Sequence, residues 1–203
     1  LTNFPFMLEL QDDKEVFSGT QTSGNDILFT DASGNKLDHE IELLDTSTSH
    51  MIAWIRVPTL SNITDTTISM YYGNSTIVSQ ENPEGVWDDN YKGVWHLSED
   101  PTGTLYDSTS NNHDGTPQGS IISADKINGQ IDGSLHFDGT TSEYDDIPYT
   151  NLGSSLTYSF WFKFVGGTGD SDIVLRFMGG LIIFSDTWNY IRWYPDVYDS
   201  RTE

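Results

Sequence analysis

Residues 26–44 read DILFTDASGNKLDHEIELL, and this stretch decides the fold class. Apolar residues recur over 26–30 and 37–44, and between them stands the polar segment Asp31-Ala32-Ser33-Gly34-Asn35-Lys36. Asp, Gly and Asn supply the backbone conformations that tight turns require. The stretch therefore predicts a β-hairpin with strands over 26–30 and 37–44.

Three further stretches around this hairpin have the composition of strands. Residues 4–10 and 51–57 are rich in apolar side chains with period-2 character, and Pro58 ends the second of them. Residues 66–72 are β-branched and aromatic and stop at Gly73. Five strands within about 70 residues fit a small β-sandwich.

The second half of the chain continues the strand pattern after a polar, proline-containing segment at 79–85. This segment is interpreted as a domain boundary, which divides the chain into 1–83 and 84–203. Strands are predicted beyond it at 93–97, 134–139, 156–165, 173–177, 181–184 and 190–194. No amphipathic helix is evident, so helix content is expected to be low, with one short turn near 85–91.

Composition and charge exclude several classes of function. The 203 residues include 31 acidic and 9 basic side chains, for a net charge of −22, whereas proteins that bind nucleic acid or anionic lipid concentrate Lys and Arg. Cysteine is absent, which excludes disulfides, thiolate catalysis and iron–sulfur clusters. No run of 18 apolar residues exists that could span a membrane. At 13% aromatic residues, the chain is predicted to fold.

Glu40 and Glu42 are the one pair that suggests catalytic carboxylates. Alternate residues of a strand share a face, and retaining glucanases with a jellyroll fold place acids in this way. Those enzymes carry a third acid on the same face, but position 44 is Leu. An exposed strand face is therefore the favoured interpretation. With no HExxH, GxSxG or phosphate-binding loop present, no catalytic residue is assigned.

The loop at 107–115 carries hard oxygen donors of the kind that Ca²⁺ prefers. Asp138 and the acids at 143, 145 and 146 could complete such a site. The alternative is that a loop rich in Asp, Asn and Ser forms turns without a metal.

Two sequons predict glycosylation, and three tryptophans lie in predicted strands. Asn62 and Asn74 begin N-x-[ST] sequences in predicted loops or strand ends and are candidate glycosylation sites. Trp54, Trp95 and Trp161 stand in strand patterns and are predicted to be buried.

Residues from about 84 to 165 resemble a concanavalin A-like, LamG-type jellyroll. The segments that carry the resemblance are Gly93-Val94-Trp95-His96-Leu97, the loop 107–115, Gly129 to Gly139 with its Leu-His-Phe-Asp-Gly ending, and 156–162. The ordered series is more specific than any single piece. The resemblance weakens after Val165, so the jellyroll is expected to be incomplete.

Residues 1 to about 83 resemble an uncharacterised domain that precedes such jellyrolls in archaeal and bacterial surface proteins. The carrying segments are Asn3-Phe4-Pro5, 26–31, 37–42, 53–58 and 70–74. In that family a further strand precedes the position of Leu1. The resemblance therefore implies an open sheet edge, which invites self-association.

Together the resemblances imply an all-β chain of two consecutive β-sandwich modules, extracellular or at a cell surface. They imply a non-catalytic, adhesin-type module that binds carbohydrate or protein. A structural subunit of a filament or sheath assembled by strand exchange is the alternative, and a glycoside hydrolase is the least favoured. LamG-type jellyrolls often carry calcium, for which the residues here are Asp107, Asn111, Asp114 and Asp138.

Overall fold

The computed structural model describes residues 1–138, 143–148, 155–163, 172–177, 180–185 and 190–195, the last three as backbone. These residues form antiparallel strands and few helices, which confirms the prediction of an all-β chain. The strands are β1 Thr2–Gln11, β2 Leu28–Asp31, β3 Lys36–Leu37, β4 His39–Asp45, β5 His50–Thr59, β6 Ile68–Tyr71, β7 Thr116–Gln118, β8 Lys126–Asn128, β9 Gly133–Leu135, β10 Tyr144–Asp146, β11 Asp172–Phe177, β12 Gly180–Ser185 and β13 Tyr190–Pro195. The helices are α1 Lys14–Gly19, α2 Pro83–Val86 and a 3₁₀ turn at Ser123–Asp125. No helix among the described residues is long and apolar enough to cross a membrane.

Two three-stranded sheets build the first half of the chain, in the orders β1-β5-β4 and β3-β2-β6. The predicted hairpin turn is present, since the Asp31 carboxylate accepts hydrogen bonds from the backbone N–H groups of Ser33 and Asn35. Its second strand divides at Asp38, however. β3 pairs with β2, whereas β4 crosses to the other sheet and pairs with β5.

The main core lies between these two sheets. Met51, Ala53 and Ile55 alternate along one face of β5 and are fully buried, together with Phe29 of β2. Period-2 alternation directs Trp54 and Arg56 of β5 to the opposite face.

Helix α1 closes part of the core, and no sequence pattern predicts it. The Asp13 carboxylate caps its first turn by accepting from the N–H groups of Glu15 and Val16. Val16 and Phe17 are buried. The helix spans six residues, which is too short for helical periodicity to be read from sequence.

The segment after α2 lies on the second face of the β1-β5-β4 sheet. Arg56 Nη1 donates to the carbonyl of Gly85 (3.1 Å), and the rings of Trp54 and Trp87 lie 5.2 Å apart. Residues 93–97 form no strand, which corrects the prediction there. Val94 is held instead by the loop at 107–115: its N–H donates to Asp107 Oδ1, and its carbonyl accepts from the N–H of Ser108.

The chain divides into two compact units, Leu1–Leu152 and Gly153–Glu203. The first also contains the two-stranded pairs β7–β10 and β8–β9. The second contains the sheet β11-β12-β13, which confirms the three strands predicted there. Residues 155–163 form no strand, although their pattern predicted the strongest one, and Trp161 is 74% exposed rather than buried. The domain division predicted at residue 83 stays a prediction.

Candidate functional site

Two acids of β4, Glu40 and Glu42, are covered, not exposed. Glu40 and Glu42 point away from the main core, on the face that the segment after α2 overlies. Their side chains are 10% and 3% exposed. The prediction of an exposed strand face at these positions is therefore wrong, because a distant part of the chain packs over it.

His96 lies between the two carboxylates. Its Nε2 is 3.2 Å from Glu40 Oε2, and its Nδ1 is 3.1 Å from Glu42 Oε2. Two donated hydrogen bonds require the doubly protonated imidazolium. Burial alone would lower the pKa of His96, but the hydrogen bonds and charges of Glu40 and Glu42 outweigh it and raise the pKa to about 10. We call this arrangement the Glu40–His96–Glu42 clamp.

Three further side chains support the clamp. Glu40 accepts from Trp87 Nε1 (2.7 Å) and from Ser108 Oγ (2.5 Å), and Glu42 accepts from Trp54 Nε1 (2.6 Å). Burial would raise the pKa of Glu40, but His96, Ser108 and Trp87 together hold it below its usual value. The imidazolium balances one of the two carboxylate charges, and the neutral donors of Trp54, Trp87 and Ser108 solvate the carboxylates, as buried charges need.

The clamp links two segments of the chain, and its carboxylates are not arranged as those of a retaining glycosidase are. Retaining glycosidases need two carboxyl groups about 5 Å apart with the sugar between them. Here the imidazole of His96 stands between the carboxylates, and both oxygens of Glu40 already accept hydrogen bonds. What the clamp does is join β4 to the segment that contains His96 and Ser108.

The loop at 107–115 is organised around Asp107, which is 6% exposed. Its Oδ1 accepts from the N–H groups of Val94 and Thr109, and its Oδ2 accepts from Thr109 Oγ1 and the N–H of His113. A carboxylate offers about four lone-pair positions, so these bonds use all of them. Asp107 could coordinate calcium only if some of these hydrogen bonds were broken.

The other predicted calcium ligands have protein partners of their own. Asp114 Oδ1 accepts from the N–H of Asp107 (2.9 Å), and Asn111 Nδ2 donates to the carbonyl of Tyr91 (3.0 Å). The N–H of Asp138 donates to Glu143 Oε2 (2.8 Å). Within the described residues, no three His, Asp or Glu side chains are placed to hold a metal ion. Calcium binding stays a prediction.

Both candidate glycosylation sites are accessible. Asn62 is exposed in the loop after β5, and Asn74 is exposed in the turn after β6. Thr76 donates from its hydroxyl to Asn74 Oδ1 (3.1 Å). Accessibility permits modification at either residue but does not show it.

A shallow cleft lies beside the clamp and shares Trp87 with it. Arg56 Nη1 donates to Gly85 at its edge, and within the described residues this guanidinium has no ion pair. Asn90 is held by a hydrogen bond from its N–H to Asp88 Oδ1 (3.0 Å). The lining residues are Arg56, Glu84, Trp87, Asp88, Asp89 and Asn90.

Comparison with known protein families finds one match. A domain of unknown function (DUF2341) is found over residues 23–116, a span that includes the clamp and the loop at 107–115. It agrees with the predicted resemblance of the first segment to an uncharacterised domain, and it continues past the boundary predicted at residue 83. No curated protein and no solved structure matches the chain.

Proposed function

We propose that the chain is a non-catalytic module of an extracellular surface protein that binds carbohydrate or another protein. The Glu40–His96–Glu42 clamp supports the first part of this proposal, since the two acids that suggested a catalytic pair are committed to internal contacts. Two consecutive β-sandwich modules, the second a LamG-type jellyroll, are the architecture proposed with it.

The cleft beside α2 is the place where we expect a carbohydrate to bind. A sugar hydroxyl both donates and accepts hydrogen bonds, so it needs donors and acceptors side by side. The guanidinium of Arg56 supplies donors, while Glu84, Asp89 and Asn90 supply acceptors. Trp87 is only 6% exposed, so recognition there would rest on polar groups rather than on ring stacking.

A glycan array and a protein pull-down on the whole chain test this function. Asp89→Asn removes one acceptor charge from the cleft, and Glu15→Gln is the control because Glu15 is an exposed acid on α1. We expect Asp89→Asn to weaken carbohydrate binding at least severalfold and Glu15→Gln to leave it unchanged. An array and a pull-down that are both empty would contradict the proposed function.

The free edge of β1 favours a second candidate, a structural subunit that assembles by strand exchange. Among the described strands, β1 pairs with β5 alone. Phe4 and Phe6 on this strand are 37% and 38% exposed, and such an edge can pair with another strand. Pro5 and Glu9 interrupt the edge, however, which weakens continuous pairing. Electron microscopy of the native protein should show filaments; monomers alone would exclude this function.

A further inference from the structure

His39 is a fully buried histidine that neither the clamp nor the cleft uses. Its exposure is 0%, and neither ring nitrogen makes a hydrogen bond of good geometry, although backbone groups of Leu37 and Ile27 lie near the ring. Its ring packs edge-on against Phe29 of β2, with centroids 5.2 Å apart, and it stands opposite Ile55 of β5 in the sheet. A polar ring is thus held within the apolar core between the two sheets.

The surroundings of His39 favour its neutral form. Burial is the largest influence and lowers the pKa of His39. The nearby positive charge of Lys36 acts in the same direction, whereas Asp38 and the backbones of Leu37 and Ile27 favour the charged form without outweighing burial. The strands packed against the ring, β2 and β5, present the apolar side chains Phe29 and Ile55 to it.

We propose that His39 makes the two-sheet core responsive to acid: the core is stable while the imidazole is neutral and opens when acid forces a proton onto it. The unfolded chain can take up a proton at His39 near pH 6.5, whereas the folded core resists it. Protons therefore favour the unfolded state as the pH falls through 6.5. The same strand carries Glu40 and Glu42 on its other face, so opening the core would also disturb the clamp.

Other groups contribute with the opposite sign, so the test compares variants. Burial and the charge of Asp146 raise the pKa of Asp145 to about 6, and burial also raises the pKa of Glu81, so both bind protons more readily when folded. The difference between the wild type and a His39 variant cancels these contributions.

The experiment measures the unfolding equilibrium constant of the whole chain in urea, followed by tryptophan fluorescence, from about pH 7.5 to about pH 5. The variants are His39→Leu, which is apolar and close in volume, and His39→Gln, which is polar but does not titrate. His50→Gln is the control, because His50 lies near the surface beside Glu9. Below pH 6.5 the wild-type constant should rise relative to both His39 variants, approaching about tenfold per pH unit. The His50→Gln profile should follow the wild type.

Parallel profiles for the wild type and His39→Leu would overturn the proposal. If neither His39 variant folds, NMR titration of the wild-type imidazoles decides the question. We expect the nitrogen signals of His39 to stay those of a neutral ring until the protein unfolds, and a titration of the folded protein near pH 6.5 would overturn the proposal.

Discussion

Replacing His96 with Ala removes the cation from between two buried carboxylates. With side chains 10%, 3% and 13% exposed, Glu40, Glu42 and His96 are shielded from water, unlike an ordinary surface ion pair. The shift of the His96 pKa from 6.5 to about 10, at about 1.4 kcal/mol for each pH unit, corresponds to roughly 5 kcal/mol. Removing one partner of a buried ion pair costs about 3–5 kcal/mol in general. The hydrogen bonds from Trp54 and Trp87 remain, so we expect a loss of about 3–5 kcal/mol.

Urea unfolding at neutral pH measures this loss, and the chain supplies a matched control. His50 Nε2 lies 3.0 Å from Glu9 Oε1, but these side chains are 27% and 46% exposed. An ion pair so open to water contributes about 0–1 kcal/mol, so His50→Ala should change stability little. Equal effects of His96→Ala and His50→Ala would refute the reasoning, because burial is the feature that distinguishes the two pairs.

The pH dependence of the clamp has a definite sign. A raised pKa means that the folded state holds the proton more tightly, so the stabilisation is complete below pH 6.5 and is lost as the pH rises through about 10. The wild type should therefore lose stability between these values, by up to about 1.4 kcal/mol per pH unit, while His96→Ala should lose less. Profiles that run parallel over this window would show that His96 is not held as a cation.

Three further predictions concern the loops. Asp107→Ala leaves buried donors such as the Thr109 N–H without a partner, so the free energy of unfolding, measured in urea, should fall by at least about 3 kcal/mol. A loss below about 1 kcal/mol would contradict the role of Asp107 in the loop. If calcium binds the loop, EDTA should lower the melting temperature and added calcium should restore it; an unchanged melting temperature means that the site is absent or empty. Expression through a glycosylating secretory pathway should add mass that Asn62→Gln and Asn74→Gln each remove in part, and an unmodified wild-type mass would exclude both sites.

Sequence patterns predicted the elements that depend on neighbouring residues alone. The hairpin turn was predictable because Asp31, Gly34 and Asn35 have the side chains and backbone preferences that such a turn needs. The division of its second strand at Asp38 was not, since the choice between pairing with β2 and pairing with β5 depends on where β5 lies in space. The absence of a strand over 155–163 has a similar origin: an alternating pattern describes a surface suited to a sheet, but a strand forms only where another backbone pairs with it.

The candidate site also depends on residues that lie far apart in the chain. The alternation of Glu40 and Glu42 correctly indicated that they share a face of a strand. Their burial depends on Trp87, His96 and Ser108, which follow them by more than 40 residues and carry no pattern that points back to β4. Likewise, Asp107 was recognised as an oxygen donor, but only the folded loop shows that backbone N–H groups take up its oxygens.

The sequence by itself determined that the chain is all-β, strongly acidic and without cysteine, because strand patterns, turn residues and net charge are properties of composition and near neighbours. Only the tertiary structure decided that Glu40 and Glu42 of β4 are bridged by the His96 cation. It also decided that His39, on the same strand as the two acids, is buried in the core. Burial and charge pairing depend on segments far apart in the chain, and the same side chain is solvated or desolvated according to what packs against it.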